Sequence, residues 1–217
     1  SCEASLAPVT PPTTHKRRSR ALVTSPSPEL GSLVSTPYPP HPNLKAVRLL
    51  NVYRESISDG PGLRYSIYLA GCRHACPGCH NPESWSGDGG IPLTEAVLSE
   101  IIEEIRTNPL LDGITVSGGD PFYDPKGLAS LLSRLRSETM KNIWCYTGFT
   151  IEYLLRSEEH RPALDYIDVL VDGPFVQALF DPRLYFRGSS NQRLIQIDHT
   201  QPLGAEALTI LDGDYFD

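Results

Sequence analysis

From residue 45 onward the chain alternates between two hydrophobic periods, and neither appears in residues 1–44. Ala46 to Tyr53 is rich in apolar residues and predicts a first strand. Tyr65, Ile67 and Leu69 recur at every second position, as in a strand with one buried face, and this second strand runs directly into Gly71-Cys72. The period then changes. Val97, Leu98, Ile101, Ile102 and Ile105 fall at helical spacing behind Thr94, a residue type suited to cap a helix. Gly113 to Ser117 is a short β-branched strand stopped by Gly118-Gly119, and Leu128, Leu131, Leu132 and Leu135 mark a second amphipathic helix. Asn142 to Tyr146, a short helix near Ile151–Arg156, and Ile167 to Val171 continue the series.

Strand–helix–strand alternation predicts an α/β fold with a mostly parallel sheet covered by helices and right-handed connections. The folded part is too short for a full eight-fold barrel, which takes about 250 residues, so a partial, open (β/α) barrel is expected. Ligands in such folds gather at the carboxyl ends of the strands. Three loops stand at such ends: the one beginning at Cys72, Gly118-Gly119-Asp120-Pro121, and Asp172-Gly173-Pro174.

Composition narrows the setting. Of 20 prolines in 217 residues, nine fall in residues 1–42, where Ser, Thr and Pro dominate. Such a segment buries too little apolar surface to offset the entropy of ordering it, so 1–44 is expected to be a disordered tail. The domain is expected over 45–198, with 199–217 an acidic extension ending in the solvated stretch Asp212 to Asp217. The run from His15 to Arg20 could be a nucleic-acid patch or part of a transit peptide, but without an amphipathic helix it reads as a solvated charge run. A formal charge of -7 argues against nucleic acid as the main partner. No apolar run approaches a membrane span, so no membrane partner is expected. Five cysteines, three of them within eight residues, do not form the dispersed framework of a secreted domain, and a reducing, cytoplasmic compartment is expected. Cys145, in an apolar run, reads as a small buried hydrophobe.

The clustered cysteines carry the chemistry. Cys72, Cys76 and Cys79 are spaced C-x3-C-x2-C and supply three thiolates. A [4Fe–4S] cluster so held keeps one iron without a protein ligand, open to substrate atoms. The rival is a closed Cys3His zinc site completed by His80, although adjacent residues such as Cys79 and His80 rarely both reach one tetrahedral ion. His74 is expected to face solvent. In the turn Ser117 to Pro121, glycine lets a ligand approach the backbone, and the Asp120 carboxylate suits an ammonium group. Asp59-Gly60-Pro61-Gly62-Leu63-Arg64 and Arg187 to Arg193 are polar loops, each either a plain connection or a rim that meets a partner.

Together these residues resemble the radical S-adenosylmethionine (SAM) superfamily, and within it the glycyl-radical activases that serve anaerobic ribonucleoside-triphosphate reductase. The resemblance runs from about Leu50 to Leu194 and rests on Asp59 to Gly62, the Cys triplet, Asn81 with Trp85, Ser117 to Pro121, Trp144 with Tyr146-Thr147-Gly148, Val169 to Gly173, and Arg187 to Gln192. It implies a partial barrel of the radical SAM type, a [4Fe–4S] cluster on Cys72, Cys76 and Cys79, and SAM chelating the open iron. Asp120 with the Gly118-Gly119 backbone would orient the methionine amine. Gly78, Cys79 and His80 would lie near the adenine, and Asp172 would approach SAM from another strand. Reductive cleavage would give a 5′-deoxyadenosyl radical that takes hydrogen from a glycine of the large reductase subunit, with a donor such as flavodoxin. Asp59, Gly60, Pro61, Gly62, Arg187 and Asn191 would be candidates for meeting that partner. The activase of pyruvate formate-lyase is the nearest enzymatic alternative. Two departures stand out: Gly78 replaces an aromatic that many members carry before the third cysteine, and Pro174 stands where related activases often have lysine.

Overall fold

A computed structural model describes residues 46–211. The expected tail, its basic run, Cys2 and the stretch Asp212 to Asp217 lie outside the described residues. Eight strands form one sheet: β1 Arg48–Ser56, β2 Arg64–Leu69, β3 Ile91–Pro92, β4 Gly113–Gly118, β5 Asn142–Tyr146, β6 Val169–Asp172, β7 Arg193–Ile197 and β8 Leu208–Leu211. Three helices intervene, α1 Glu95–Thr107, α2 Pro125–Thr139 and α3 Ile151–Arg156. Each begins at a side-chain cap. Thr94 accepts from Val97 N, Asp124 accepts from Gly127 N ahead of a first-turn proline, and Thr150 accepts from Tyr153 N.

The strand order is β3-β1-β2-β4-β5-β6-β7-β8. The expected parallel pairing holds at the centre, where β2, β4, β5 and β6 run side by side in one direction. The flanks differ: β1 pairs antiparallel with β2 and β3, and β7 pairs antiparallel with β6 and β8. Four of the seven pairings are therefore antiparallel, and the sheet is mixed rather than mostly parallel. The reason lies in the connections. No α-helix separates β1 from β2 or β6 from β7, and antiparallel neighbours need no helical crossover. The sheet also continues past residue 198, because β8 pairs with β7, with Leu211 in the strand and Ala207 in the turn before it both buried.

The strict alternation of strand side chains gives the sheet two unlike faces. Tyr65, Ile67, Leu69, Ile114, Val116, Ile143, Cys145 and Leu170 join the helix residues Leu98, Ile101, Leu128, Leu131 and Leu135 in the main core. The other face carries Arg64, Ser66 and Thr115, all fully buried, and a smaller apolar group of Trp144, Val169, Val171, Leu194 and Leu211.

Arg64 anchors this second face. Its guanidinium donates to Thr115 Oγ1 at 2.7 Å, Ile114 O at 2.6 Å and Asn142 Oδ1 at 3.0 Å, and lies 5.3 Å above the Trp144 ring. Burial brings its pKa down to about 10, so it remains cationic at neutral pH.

Candidate functional site

The carboxyl ends of β2, β4, β5 and β6 open into one cleft of about 220 Å³. Its walls include Cys72, Cys76, Cys79, Gly118, Gly119, Thr147 and Gly148. Parallel strands deliver their following loops to the same edge, which is why residues far apart in sequence meet here.

The cysteine loop is fastened at its base. Gly71 N donates to Ser84 O at 2.8 Å, Cys72 N to Trp85 O at 3.1 Å, and Cys79 N to Cys76 O at 3.1 Å. All three thiols are free and half-buried. Asn81 N donates to Cys79 Sγ at 3.4 Å. Burial, the largest influence, pushes the Cys72 thiol up, and Asp120 nearby acts in the same direction. Among the described residues, no three His, Cys, Asp or Glu side chains converge as a single metal ion needs. A cluster distributes its thiolates over several irons and makes no such demand, so three free thiols lining one cleft fit it. His80 instead packs its ring against Phe175 and Phe180, with centroids 5.2 Å and 5.8 Å away, which does not support the closed zinc site.

The glycine turn lies against this loop. Gly119 N donates to Leu69 O and Asp120 N to Gly71 O, each at 2.8 Å. Gly118 has φ +111, and a Cβ there would come within 2.4 Å of the Leu69 backbone, so only glycine fits. Gly118 and Gly119 line the cleft.

Asp120 is held inside the fold. Its side chain is 2% exposed and does not line the cleft. Oδ1 accepts from Phe122 N at 2.9 Å and Thr147 Oγ1 at 3.0 Å, while Oδ2 accepts from Gly148 N at 3.0 Å and lies 2.6 Å from His74 Nε2. A carboxylate with its lone pairs so engaged is a strut between three strand-end loops, not an open acceptor for an ammonium group. His74 is accordingly not the solvent-facing residue expected. Its side chain is 19% exposed, tied to Asp120 and packed 4.6 Å from the Phe149 ring.

Asp172 is likewise engaged inside the fold. It is fully buried, accepts from Ile151 N at 2.7 Å and pairs with Arg193 at 2.6 Å, and it does not line the cleft. Arg193 also reaches Glu152 at 2.8 Å and 2.9 Å, and these bonds hold the Glu152 carboxyl down at about 2.

The two loops considered as rims are largely built into the fold. Asp59 accepts from Ser56 and Ser66 hydroxyls at 2.7 Å and from Tyr68 at 3.1 Å, its carbonyl accepts from Thr115 at 2.7 Å, and Gly60 is buried. Pro61 O accepts from Arg64, and Gly62 is exposed. The second loop joins the cleft wall through Gly188 and Gln192. Gln192 Oε1 accepts from Gly188 N and Ser189 N, Arg187 donates to Gln192 O, and Asn191 donates to Pro174 O.

Comparison with known proteins agrees with this geometry. Residues 58–195 match the family model of the 4Fe-4S single cluster domain. The anaerobic ribonucleoside-triphosphate reductase-activating protein of Pasteurella multocida is 41% identical over 145 residues, covering 64% of this chain and 91% of that protein. Its counterpart from Escherichia coli K12 is 41% identical over 144 residues (64% and 92%), and that of Enterobacteria phage T4 is 32% identical over 146 (66% and 90%). The chain belongs to the family of anaerobic ribonucleoside-triphosphate reductase-activating proteins.

Within that family's framework, His74 and Phe175 are site residues not anticipated from sequence, while Thr147 and Gln192 stand in the resembling blocks without an assigned role. His74 had one available signal, its place between the first two cysteines, but its partner lies 46 residues away. Phe175 and Gln192 lie in a long loop whose aperiodic mix of apolar and polar residues gives no orientation. No helix among the described residues is long and apolar enough to cross a membrane.

Proposed function

We propose that this chain activates anaerobic ribonucleoside-triphosphate reductase by generating a glycyl radical on its large subunit, through reductive cleavage of SAM. The observation that carries this reading is the cleft in which three free thiols face a glycine-only backbone turn. When bound, a [4Fe–4S] cluster supplies one electron to SAM, whose cleavage delivers the hydrogen-abstracting species to a glycine of the reductase.

The chain's own part is binding, orientation and exclusion of water. Cys72, Cys76 and Cys79 are the ligands. Gly118 and Gly119 leave room for the methionine end and offer it backbone polar groups, while Gly78, Cys79 and His80 flank the adenosine end. Asp120 keeps the β2, β4 and β5 loops at fixed spacing around them, so the reacting parts meet without reorganisation. Asp59 to Gly62, Arg187 and Asn191 support the walls that the reductase would meet. The sheet is taken as a partial, open barrel with its polar face inward, and the domain as 45–198 with a C-terminal extension whose strand β8 completes the sheet. A low-potential donor such as flavodoxin and a cytoplasmic location complete the reading.

Anaerobic co-expression with the reductase, read by electron spin resonance, tests the proposal. A glycyl doublet on the reductase is expected, and its loss with Cys76→Ala while circular dichroism is unchanged. A doublet on pyruvate formate-lyase and none on the reductase would assign the chain to a different partner. Colourless, zinc-loaded protein after anaerobic purification would remove the cluster from the mechanism.

A further inference from the structure

One wall of the cleft is aromatic and takes no part in holding the thiols. Phe175, on the loop after β6, lines the cleft with His80, their ring centroids 5.2 Å apart and their planes inclined by 47°. Phe180 stands edge-on to both, 5.8 Å from His80 and 6.3 Å from Phe175. Position 78 lies beside this group and carries glycine at φ +74. A Cβ there would come within 2.8 Å of the Gln177 side chain, on the same loop as Phe175, so the two loops lie against each other at this point.

We propose that Phe175, backed by His80, is the stacking platform for the adenine of SAM, standing in for the aromatic side chain that position 78 lacks. The inference rests on the reading that the cleft binds SAM. A nucleobase is a flat π-system, and it gains most from a ring inside the cavity that holds the rest of the ligand. Phe175 meets that condition: it is half-buried and lines the same cleft as the three thiols and the Gly118-Gly119 turn. The more exposed apolar residues of this loop, Leu179, Phe180 and Tyr185, are 43%, 49% and 47% exposed, and a protein partner would meet them first.

The test is equilibrium binding to the anaerobically reconstituted, cluster-loaded protein, with three probes: SAM, 5′-methylthioadenosine and methionine. Phe175→Ala is expected to weaken SAM and methylthioadenosine about tenfold or more, as loss of one stacking ring does elsewhere, and to leave methionine within about twofold. Phe175→Trp is expected to restore both nucleoside probes, and iron and sulfide contents should equal wild type in each variant. Unchanged SAM binding in the alanine variant would overturn the platform, including when reductase activation is lost, since Phe175 would then serve the partner. Equal weakening of methionine would also overturn it, by showing a general collapse of the wall. Wild-type protein that binds neither SAM nor methylthioadenosine would overturn the SAM reading itself, and the platform with it.

Discussion

At the scale of single residues, Asp120 is the most heavily used side chain of the site. Four groups from three loops converge on one buried carboxylate: His74, Phe122 N, the Thr147 hydroxyl and Gly148 N. Removing it leaves several donors buried and unpaired, and that penalty exceeds the value of any one bond. Asp120→Ala is expected to lower the unfolding free energy by about 3–5 kcal/mol, and Asp120→Asn, which puts an NH2 among donors, by about 1–3 kcal/mol. Urea denaturation of the cluster-free protein measures both. Wild-type stability combined with lost SAM binding would return Asp120 to the ligand-facing role that its place in the turn suggests. This residue also marks a limit of local sequence. A Gly-Gly-Asp turn after a strand announces an available carboxylate, but only the fold brings His74, from 46 residues away, to occupy it.

At the scale of elements, helix α3 and the turn after it enclose His160, which is 9% exposed. Its ring lies 5.2 Å from Phe149, 5.4 Å from Tyr153 and 6.0 Å from Phe122, and its Nδ1 is 2.7 Å from Ser157 Oγ. Burial lowers its pKa and outweighs Glu159 and Asp120, which favour the charged form, while Arg73 adds to the lowering. The sign follows by linkage. Below the ordinary value of 6.5 the unfolded chain takes up a proton that the folded chain resists, so stability falls as the pH drops through 6.5 and is free of this penalty above it. His160→Phe is expected to lose some stability at pH 7, through the abandoned Ser157 contact, yet to show a flatter acid limb. Urea midpoints of both proteins across roughly pH 5 to 8 read this directly, and parallel limbs would exclude His160 as the titrating group. The helices themselves were legible in sequence because periodicity and capping are local: Thr94, Val97, Leu98 and Ile101 announce α1 without tertiary context.

At the scale of the whole molecule, the strands divide into those that sequence announces and those that it hides. β2, β4, β5 and β6 are buried on both faces or nearly so, and their apolar, β-branched runs stand out. In β7 and β8, polar or exposed positions such as Arg193, Gln196, Thr209 and Ile210 interrupt the apolar pattern, so 199–217 reads as an appendage. Physically β8 is a sheet edge that covers the core. It pairs with β7 from Leu194 to Ile197, residues whose alternate side chains reach the main core and the second apolar group. Ending the chain after Asp198 would strip the ladder bonds from β7 and remove the buried Ala207 and Leu211. It would also leave an apolar edge free to pair with other chains. β7 in turn carries Arg193, which ties Asp172 at the end of β6 to Glu152 in α3, so damage at this edge should reach the cleft. The 1–198 chain is therefore expected to be insoluble or to lose its cooperative urea transition, whereas a chain ending at 211 should keep it. A soluble 1–198 protein with a wild-type transition would make 199–211 a true appendage and place the domain's edge at β7.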